Sequence, residues 1–221
     1  MTEETNHAKK SYRTRFRIMD AFVDLMADKD FDTITVKSLV EKANITRGTF
    51  YLYFSDIYGL VGYMEDALLE EMPDITPGHR PPRDPRTPPT LSECSDSSWE
   101  RTWFEYYDQF SRYLNALMGP HGDQSFTVKM KRRIQESLTS SMALDTMPMD
   151  KYQEYFVNLL PHVFLFLARE WTSNKDKSGL QLDNIVDIAL TIRIGSIYRY
   201  YLDLTEKEKN NAKEPQEGGT L

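Results

Sequence analysis

Apolar residues recur at helical spacing along most of the chain. The first such group predicts an amphipathic helix from about residue 11 to 28. It consists of Phe16, Met19, Phe22, Val23 and Met26. No stretch alternates apolar and polar residues for long enough to form a strand, and no internal repeat is present. The pattern therefore predicts an all-α protein.

The same spacing, together with capping residues, divides the rest of the chain into further helices. They are predicted at about 35–43, 46–53, 56–72, 99–118, 123–142, 150–173 and 180–204. Thr35 and Thr46 are the expected N-caps of the first two. Asn44, between them, is expected to adopt the left-handed conformation that ends a helix. Pro161 predicts a kink in the helix over 150–173.

Proline separates the chain into two parts. Seven of the eleven prolines lie in 73–98, where each restricts its own φ and that of the residue before it. We interpret this segment as a linker or exposed loop. The predicted organisation is an N-terminal domain over 1–72, the linker over 73–98, a helical domain over 99–205 and a disordered tail over 206–221.

Composition and charge restrict the class of protein. The longest strongly apolar run, VFLFLA, is too short to cross a bilayer, and the N-terminus has no apolar signal sequence. The single cysteine, Cys94, excludes an intramolecular disulfide and a cysteine-based zinc finger. We expect a soluble cytoplasmic protein without membrane contact. The net charge is −7, but residues 9–53 hold nine Lys/Arg against six Asp/Glu, a local excess of +3 that suits a nucleic-acid partner.

Residues 35–54 have the helix, short turn and helix of a DNA-binding helix-turn-helix motif, in which the second helix enters the major groove. Phe50 and Phe54 are spaced i, i+4 and are expected to point inward. Arg47, which can bond a guanine with two hydrogen bonds, is then left on the outer face with Gly48, Tyr51 and Leu52. At Gly48 the missing side chain allows the backbone to approach DNA closely.

Other residues around the motif carry groups suited to phosphates. The hydroxyls that could bond phosphate oxygens belong to Thr46, Thr49, Tyr51 and Tyr53. Thr35 and Lys37 begin the preceding helix, whose N-terminus can face the backbone. The basic residues of the N-terminal segment are either a solvated end or an arm that touches the minor groove or backbone. They are Lys9, Lys10, Arg13, Arg15 and Arg17.

The run TITVKSLVEKANITRGTFYLYF resembles the N-terminal signature of the TetR family of transcriptional regulators, and the likeness extends over about 11–68. The resemblance implies a homodimer that reads a palindromic operator in double-stranded DNA. It also implies a larger C-terminal domain that binds an inducer and dimerises through its last two long helices. Asn44 replaces the usual turn glycine, Ile57 replaces a phosphate-binding lysine, and the linker is longer than usual.

The C-terminal part offers one candidate ligand pocket and one dimer interface. The pocket residues, for a small apolar or aromatic inducer, are Trp103, Tyr106, Phe110, Tyr113, His162, Phe166 and Arg169. The alternative is that these aromatic residues form an ordinary core. The helices over 150–173 and 180–204 are too apolar for a monomer, which predicts packing against a second copy.

The leading hypothesis is a ligand-responsive repressor that its inducer releases from DNA. The alternative is a TetR-like co-regulator that acts through protein–protein contacts without binding DNA directly; Ile57 and the low net charge favour it. An enzyme is the least supported class, because no nucleophile–base pair, phosphate-binding glycine loop or metal cluster is visible. We expect no cofactor, no metal and no catalytic residue.

Overall fold

Helices account for the regular secondary structure of the computed structural model, which describes residues 3–73, 96–144 and 150–199. They are α1 (Glu3–Met26), α2 (Val36–Lys42), α3 (Arg47–Tyr51), α4 (Ile57–Glu71), α5 (Ser98–Leu117), α6 (Gln124–Leu144), α7 (Lys151–Ser178) and α8 (Leu182–Arg193). A 3₁₀ turn, Phe31–Thr33, follows α1, and a π-helical turn, Ile194–Tyr198, follows α8. These described residues contain no strand, so the all-α prediction is confirmed.

Some predictions fall on residues outside these ranges. Most of the proline-rich segment at 73–98, with Cys94, is outside the described residues, and so is the tail at 206–221. No described helix has the length and apolar character needed to cross a membrane.

Two helix boundaries differ from the prediction. Helix α1 begins at Glu3 rather than near residue 11, because the first residues are polar and carry no apolar spacing for a sequence pattern to detect. Pro161 lies inside α7, but the break in helical dihedral angles is at Asn174 (φ −123°, ψ 15°). The Asn174 side-chain amide donates to the Glu170 carbonyl at 3.1 Å, and such local bonds compete with the helix.

The residues form two compact units. Unit 1 comprises Met1–Met72 and Gln109–Met130, and unit 2 comprises Pro73–Asp108 and Lys131–Leu221. The sequence placed all of 99–205 in one C-terminal domain, whereas here 109–130 belongs with the N-terminal helices. Helices α5 and α6 therefore each contribute residues to both units.

Unit 1 has an apolar core drawn from α1 to α4. Each burial of a large apolar side chain contributes roughly 1.5–3 kcal/mol. Its fully buried members include Ile18, Phe22, Leu39, Phe50, Leu60 and Met64.

Polar pairs explain why 109–130 belongs to unit 1. Arg112 lies 2.7 Å from Asp24, and the Tyr113 hydroxyl donates to Asp20 at 2.7 Å. The backbone N–H of Phe31 donates to the His121 carbonyl at 2.9 Å. These bonds tie the end of α5, and the turn after it, to α1 and to the segment that follows α1.

Unit 2 is held by aromatic contacts between α5 and α7 and by a buried ion pair. The ring of Phe164 packs against Trp99, with centroids 4.7 Å apart. Glu100 is fully buried and accepts a hydrogen bond from Nε of Arg193. Nη2 of the same arginine donates to the Asp96 carbonyl at 2.7 Å. The pair fixes the end of α8 to the start of α5.

Candidate nucleic-acid interface

Two threonine caps and one left-handed residue set the geometry of α2 and α3. The Thr35 hydroxyl accepts from the Ser38 N–H at 3.1 Å, and the Thr46 hydroxyl accepts from the Thr49 N–H at 3.1 Å. Asn44 has φ +49° and is the non-glycine residue with a positive φ in the described chain. All three predictions are confirmed. Because the turn is so short, α3 starts at a defined angle to α2.

Helix α3 and the turn after it have one buried and one exposed face. Phe50 is fully buried and Phe54 is 5% exposed, and their ring centroids lie 5.8 Å apart. On the opposite side Tyr51 is 57% exposed and Leu52 is 78% exposed. Phe50 and Phe54 therefore anchor the helix in the core, and the large side chains of Tyr51 and Leu52 are exposed on its other side, as the sequence predicts.

The remaining predicted DNA-binding residues lie around the same surface. Thr35, Lys37, Thr46, Arg47 and Gly48 are exposed, while Thr49 and Tyr53 are half-buried. We call the set from Arg47 to Tyr53, without the buried Phe50, the reading surface. Among the described ion pairs Lys42 is bound to Asp24 at 3.6 Å, whereas Lys37 and Arg47 take part in none. Two cations are thus available to an external anion.

The threonine hydroxyls are less available than the sequence suggests. Thr46 Oγ1 lies 2.9 Å from Thr49 Oγ1 in addition to accepting the Thr49 N–H. Thr35 Oγ1 donates to Ser38 Oγ at 3.2 Å as well as capping α2. Each hydroxyl already makes two bonds inside the protein, so its first role is to fix a helix start.

Gly48 has no side chain at a place where the protein would accept one. A Cβ built there would meet only Thr46 Oγ1, at 3.8 Å, which is an ordinary contact. Internal packing therefore does not explain the glycine. The glycine is compatible with the predicted close approach of the backbone to DNA.

The position at which the resemblance expects a lysine is part of the core. Ile57 is only 7% exposed, and α4 is capped by Asp56, which accepts from the Gly59 N–H at 2.7 Å. An apolar residue is explained here by burial. The start of α4 therefore offers no cation to a phosphate.

Sequence reasoning did not detect how Arg15 is held. Its guanidinium lies over two rings, with Cζ 5.5 Å from the centroid of Tyr53 and 5.6 Å from that of Tyr63. The three residues are far apart in the sequence, and no local pattern links them.

The predicted pocket residues are divided between the two units. Trp103 and Tyr106 are buried in unit 2, but Phe110 and Tyr113 belong to unit 1. The other three, His162, Phe166 and Arg169, are exposed on α7, and Phe166 is 63% exposed. Helical spacing correctly placed these three on one face of α7, but that face points to solvent in the single chain.

Residues 18–64 match the sequence model of bacterial regulatory proteins of the tetR family. That range contains α2, α3 and the turn between them. Residues 18–64 are therefore similar to the helix-turn-helix domain of that family.

Two curated relatives with a similar segment come from Bacillus subtilis (strain 168). The uncharacterized HTH-type transcriptional regulator YxbF is 34% identical over 56 residues, which are 25% of this chain and 14% of the relative. The uncharacterized HTH-type transcriptional regulator YvdT is 32% identical over 62 residues, 28% of this chain and 32% of the relative. The matches thus span less than a third of either relative.

Solved structures extend the likeness in fold beyond residues 18–64. A putative fatty acid metabolism regulator of Clostridium perfringens aligns with a TM-score of 0.57 and 15% identity, over 82% of this chain and 98% of that one. The SmeT–triclosan complex aligns with a TM-score of 0.54 and 12% identity, over 83% and 90%. At such identities the likeness establishes the fold: a helix-turn-helix domain with a further helical domain.

Proposed function

We propose that the chain is a ligand-responsive transcriptional repressor that binds a palindromic operator as a homodimer in the cytoplasm. The reading surface carries this proposal, because it combines an anchored helix with an outward arginine, a glycine that internal packing does not require, and two exposed large side chains. In the proposed complex Arg47 bonds a guanine, Gly48 lets the backbone approach, and Tyr51 and Tyr53 contact the phosphate backbone.

An exposed stripe on α7 supports the homodimer. Its members follow helical spacing and are Tyr152, Tyr155, Leu159 and Phe166, which are 62%, 79%, 54% and 63% exposed. A second copy packed against this stripe and against α8, within the predicted 150–173 and 180–204, would bury them. The symmetry of such a dimer matches a palindromic site.

Unpaired donors in unit 2 support an inducer site. The indole N–H groups of Trp99 and Trp103 are buried without a hydrogen-bond acceptor in the described structure. Buried donors are normally satisfied, so we place an inducer with an aromatic or apolar body and an acceptor oxygen beside them. One structural neighbour is a complex of SmeT with triclosan. Inducer binding would shift the dimer to a state that no longer fits DNA.

A fluorescence-anisotropy titration tests the proposal. Labelled DNA from upstream of the chain's own gene would be titrated with protein at several salt concentrations, with unrelated DNA as competitor. We expect specific binding that weakens as salt rises. If the folded protein shows no specific binding, the repressor proposal fails and the co-regulator alternative, which acts through protein–protein contacts, replaces it.

A further inference from the structure

Arg15 occupies an unusual position beside the reading surface. It projects from α1 over the rings of Tyr53, which follows α3, and Tyr63, in α4, at 5.5 and 5.6 Å from Cζ to the two centroids. Tyr63 in turn packs on the buried Phe54, with centroids 5.4 Å apart. The guanidinium is thus fixed by two aromatic rings that the core of unit 1 supports.

This arrangement separates Arg15 from the other basic residues of α1. Lys10, Arg13 and Arg17 are exposed and spaced three and four residues apart, so they share one face of the helix. Arg15 is half-buried and lies about 200° around the helix from Arg13, since each residue turns the helix by about 100°. A solvated basic end explains the first three residues but not Arg15.

No carboxylate in the described part of the chain forms an ion pair with this cation. Arg15 takes part in none of the ion pairs among the described residues, although Arg112 and Lys42, also in unit 1, are paired with aspartates. Aromatic faces attract a guanidinium without using its N–H groups, which remain able to donate. The group is held in place, positively charged and next to Tyr53, which is the end of the reading surface.

We propose that Arg15 binds a DNA phosphate at the edge of the reading surface and that Tyr53 and Tyr63 hold it in position. A guanidinium fork matches two phosphate oxygens, and a pre-positioned side chain loses little freedom on binding. The contact is independent of base sequence and fixes the register in which Arg47 meets its base. This inference rests on the proposed function.

The salt dependence of binding to random-sequence duplex DNA tests the phosphate contact. The logarithm of affinity falls with the logarithm of salt concentration by about 0.9 for each phosphate neutralised. We expect Arg15→Ala to lower this slope by about 0.9 per arginine in contact, and to weaken binding roughly three- to tenfold at 0.1 M salt. Arg132→Ala, which removes the same charge from an exposed site in unit 2, should leave the slope unchanged.

Further variants separate charge from positioning. Arg15→Lys should keep the slope, while Tyr63→Leu should keep the slope but weaken binding, because the cation is present but no longer held. Tyr63→Phe retains the ring and should behave like wild type. If Arg15→Ala proves unstable by thermal melting, Arg15→Gln removes the charge with a side chain that still fits between the rings.

The possible failures are distinct. If the wild-type protein does not bind duplex DNA, the proposed function itself fails. If it binds but the folded Arg15→Ala or Arg15→Gln variant has the wild-type slope, only the Arg15 proposal is overturned. A lowered slope in folded Arg15→Lys would also contradict it, since the charge is retained.

Discussion

At the scale of single residues, positions in α3 divide into those that folding requires and those that are assigned to DNA binding. Phe50 is fully buried, so its replacement by alanine would leave a cavity of the kind that costs about 3–5 kcal/mol. Gly48 is the opposite case, because among the described residues a Cβ there would make only an ordinary contact with Thr46. The role predicted for Gly48 in binding is thus separate from any role in packing.

Gly48→Ala should therefore reduce DNA affinity without reducing stability. Alanine favours a helix over glycine by up to about 1 kcal/mol, so the melting temperature should stay the same or rise. Gly62→Ala is the matched control, since a Cβ there meets nothing within 4 Å and Gly62 lies in α4 and is not one of the reading-surface residues. Melting curves and anisotropy titrations would compare both variants; equal DNA affinity in all three proteins would contradict the role given to Gly48.

Local chemistry made some of these residues predictable and left others hidden. The i, i+4 spacing of Phe50 and Phe54 and the two threonine caps are properties of short segments, and the structure confirms them. The contacts of Arg15 with Tyr53 and Tyr63 join three segments that are distant in the sequence. The hydrogen bonds that Thr46 makes within the protein depend on the rotation of its side chain. Neither is encoded in a pattern along the chain.

At the scale of elements, the turn between α2 and α3 depends on one left-handed residue. Asn44 is held at φ +49°, a conformation that most side chains adopt only at an energetic cost. Because Asn44 is exposed, its side chain is not needed for packing.

Asn44→Gly should preserve or raise stability, whereas Asn44→Ala should lower it by about 1 kcal/mol, because only glycine reaches this conformation freely. Urea denaturation would measure the free energy of unfolding of both variants. The same order of stability should hold for DNA affinity if the turn sets the angle of α3. Equal stability of the two variants would show that the turn is not strained.

A second link between elements joins α4 to α6 within unit 1. Glu65 is 2% exposed and its Oε2 lies 2.6 Å from Nζ of Lys129. Burial raises the pKa of Glu65 above its ordinary value, although Lys129 opposes this. The same hydrogen bond raises the pKa of Lys129, which is partly exposed. The raised pKa of Glu65 means that folding disfavours its charged form, whereas the raised pKa of Lys129 means that folding favours its charged form. We expect the desolvation of the buried Glu65 to dominate the pH dependence of stability.

A raised carboxyl pKa means that folding favours the protonated form. The contribution of Glu65 is then fully present below about pH 4.5 and is lost as the pH rises through its folded pKa. Glu65→Gln, which keeps an acceptor for Lys129, should therefore be as stable as wild type or more stable at pH 7, and the difference should shrink toward pH 4. Thermal melts from pH 4 to pH 7 provide the measurement. If Glu65→Gln is less stable than wild type at pH 7 but not at pH 4, the expected sign of the effect is wrong.

At the scale of the whole molecule, the distribution of charge bears on the proposed contact with DNA, and the exposed apolar surface bears on the proposed contact with a second copy of the chain. The chain carries −7 overall, yet residues 9–53 carry an excess of +3. The exposed stripe on α7 lies in unit 2. The sequence predicted the helical content, but not that α5 and α6 would each belong to both units, because that division depends on long-range pairs such as Arg112 with Asp24.

Phe166→Glu should dissociate the proposed homodimer, because it places a charge in the apolar stripe where two copies would meet. Sedimentation equilibrium should show a dimer for wild type and a monomer for the variant, with unchanged helix content by circular dichroism. Arg132→Glu, an exposed change on α6, is the control and should remain dimeric. A wild-type protein that is monomeric at micromolar concentration would contradict the dimer through α7.

Selection of bound sequences from a random duplex library tests the central claim most directly. We predict that wild-type protein enriches an inverted repeat whose half-sites lie about one helical turn, roughly 34–36 Å, apart. Arg47→Ala should enrich the same repeat with one guanine position relaxed, a loss of about 1–3 kcal/mol in base preference. No enriched sequence with folded, dimeric wild-type protein, or an unchanged preference in Arg47→Ala, would contradict the account.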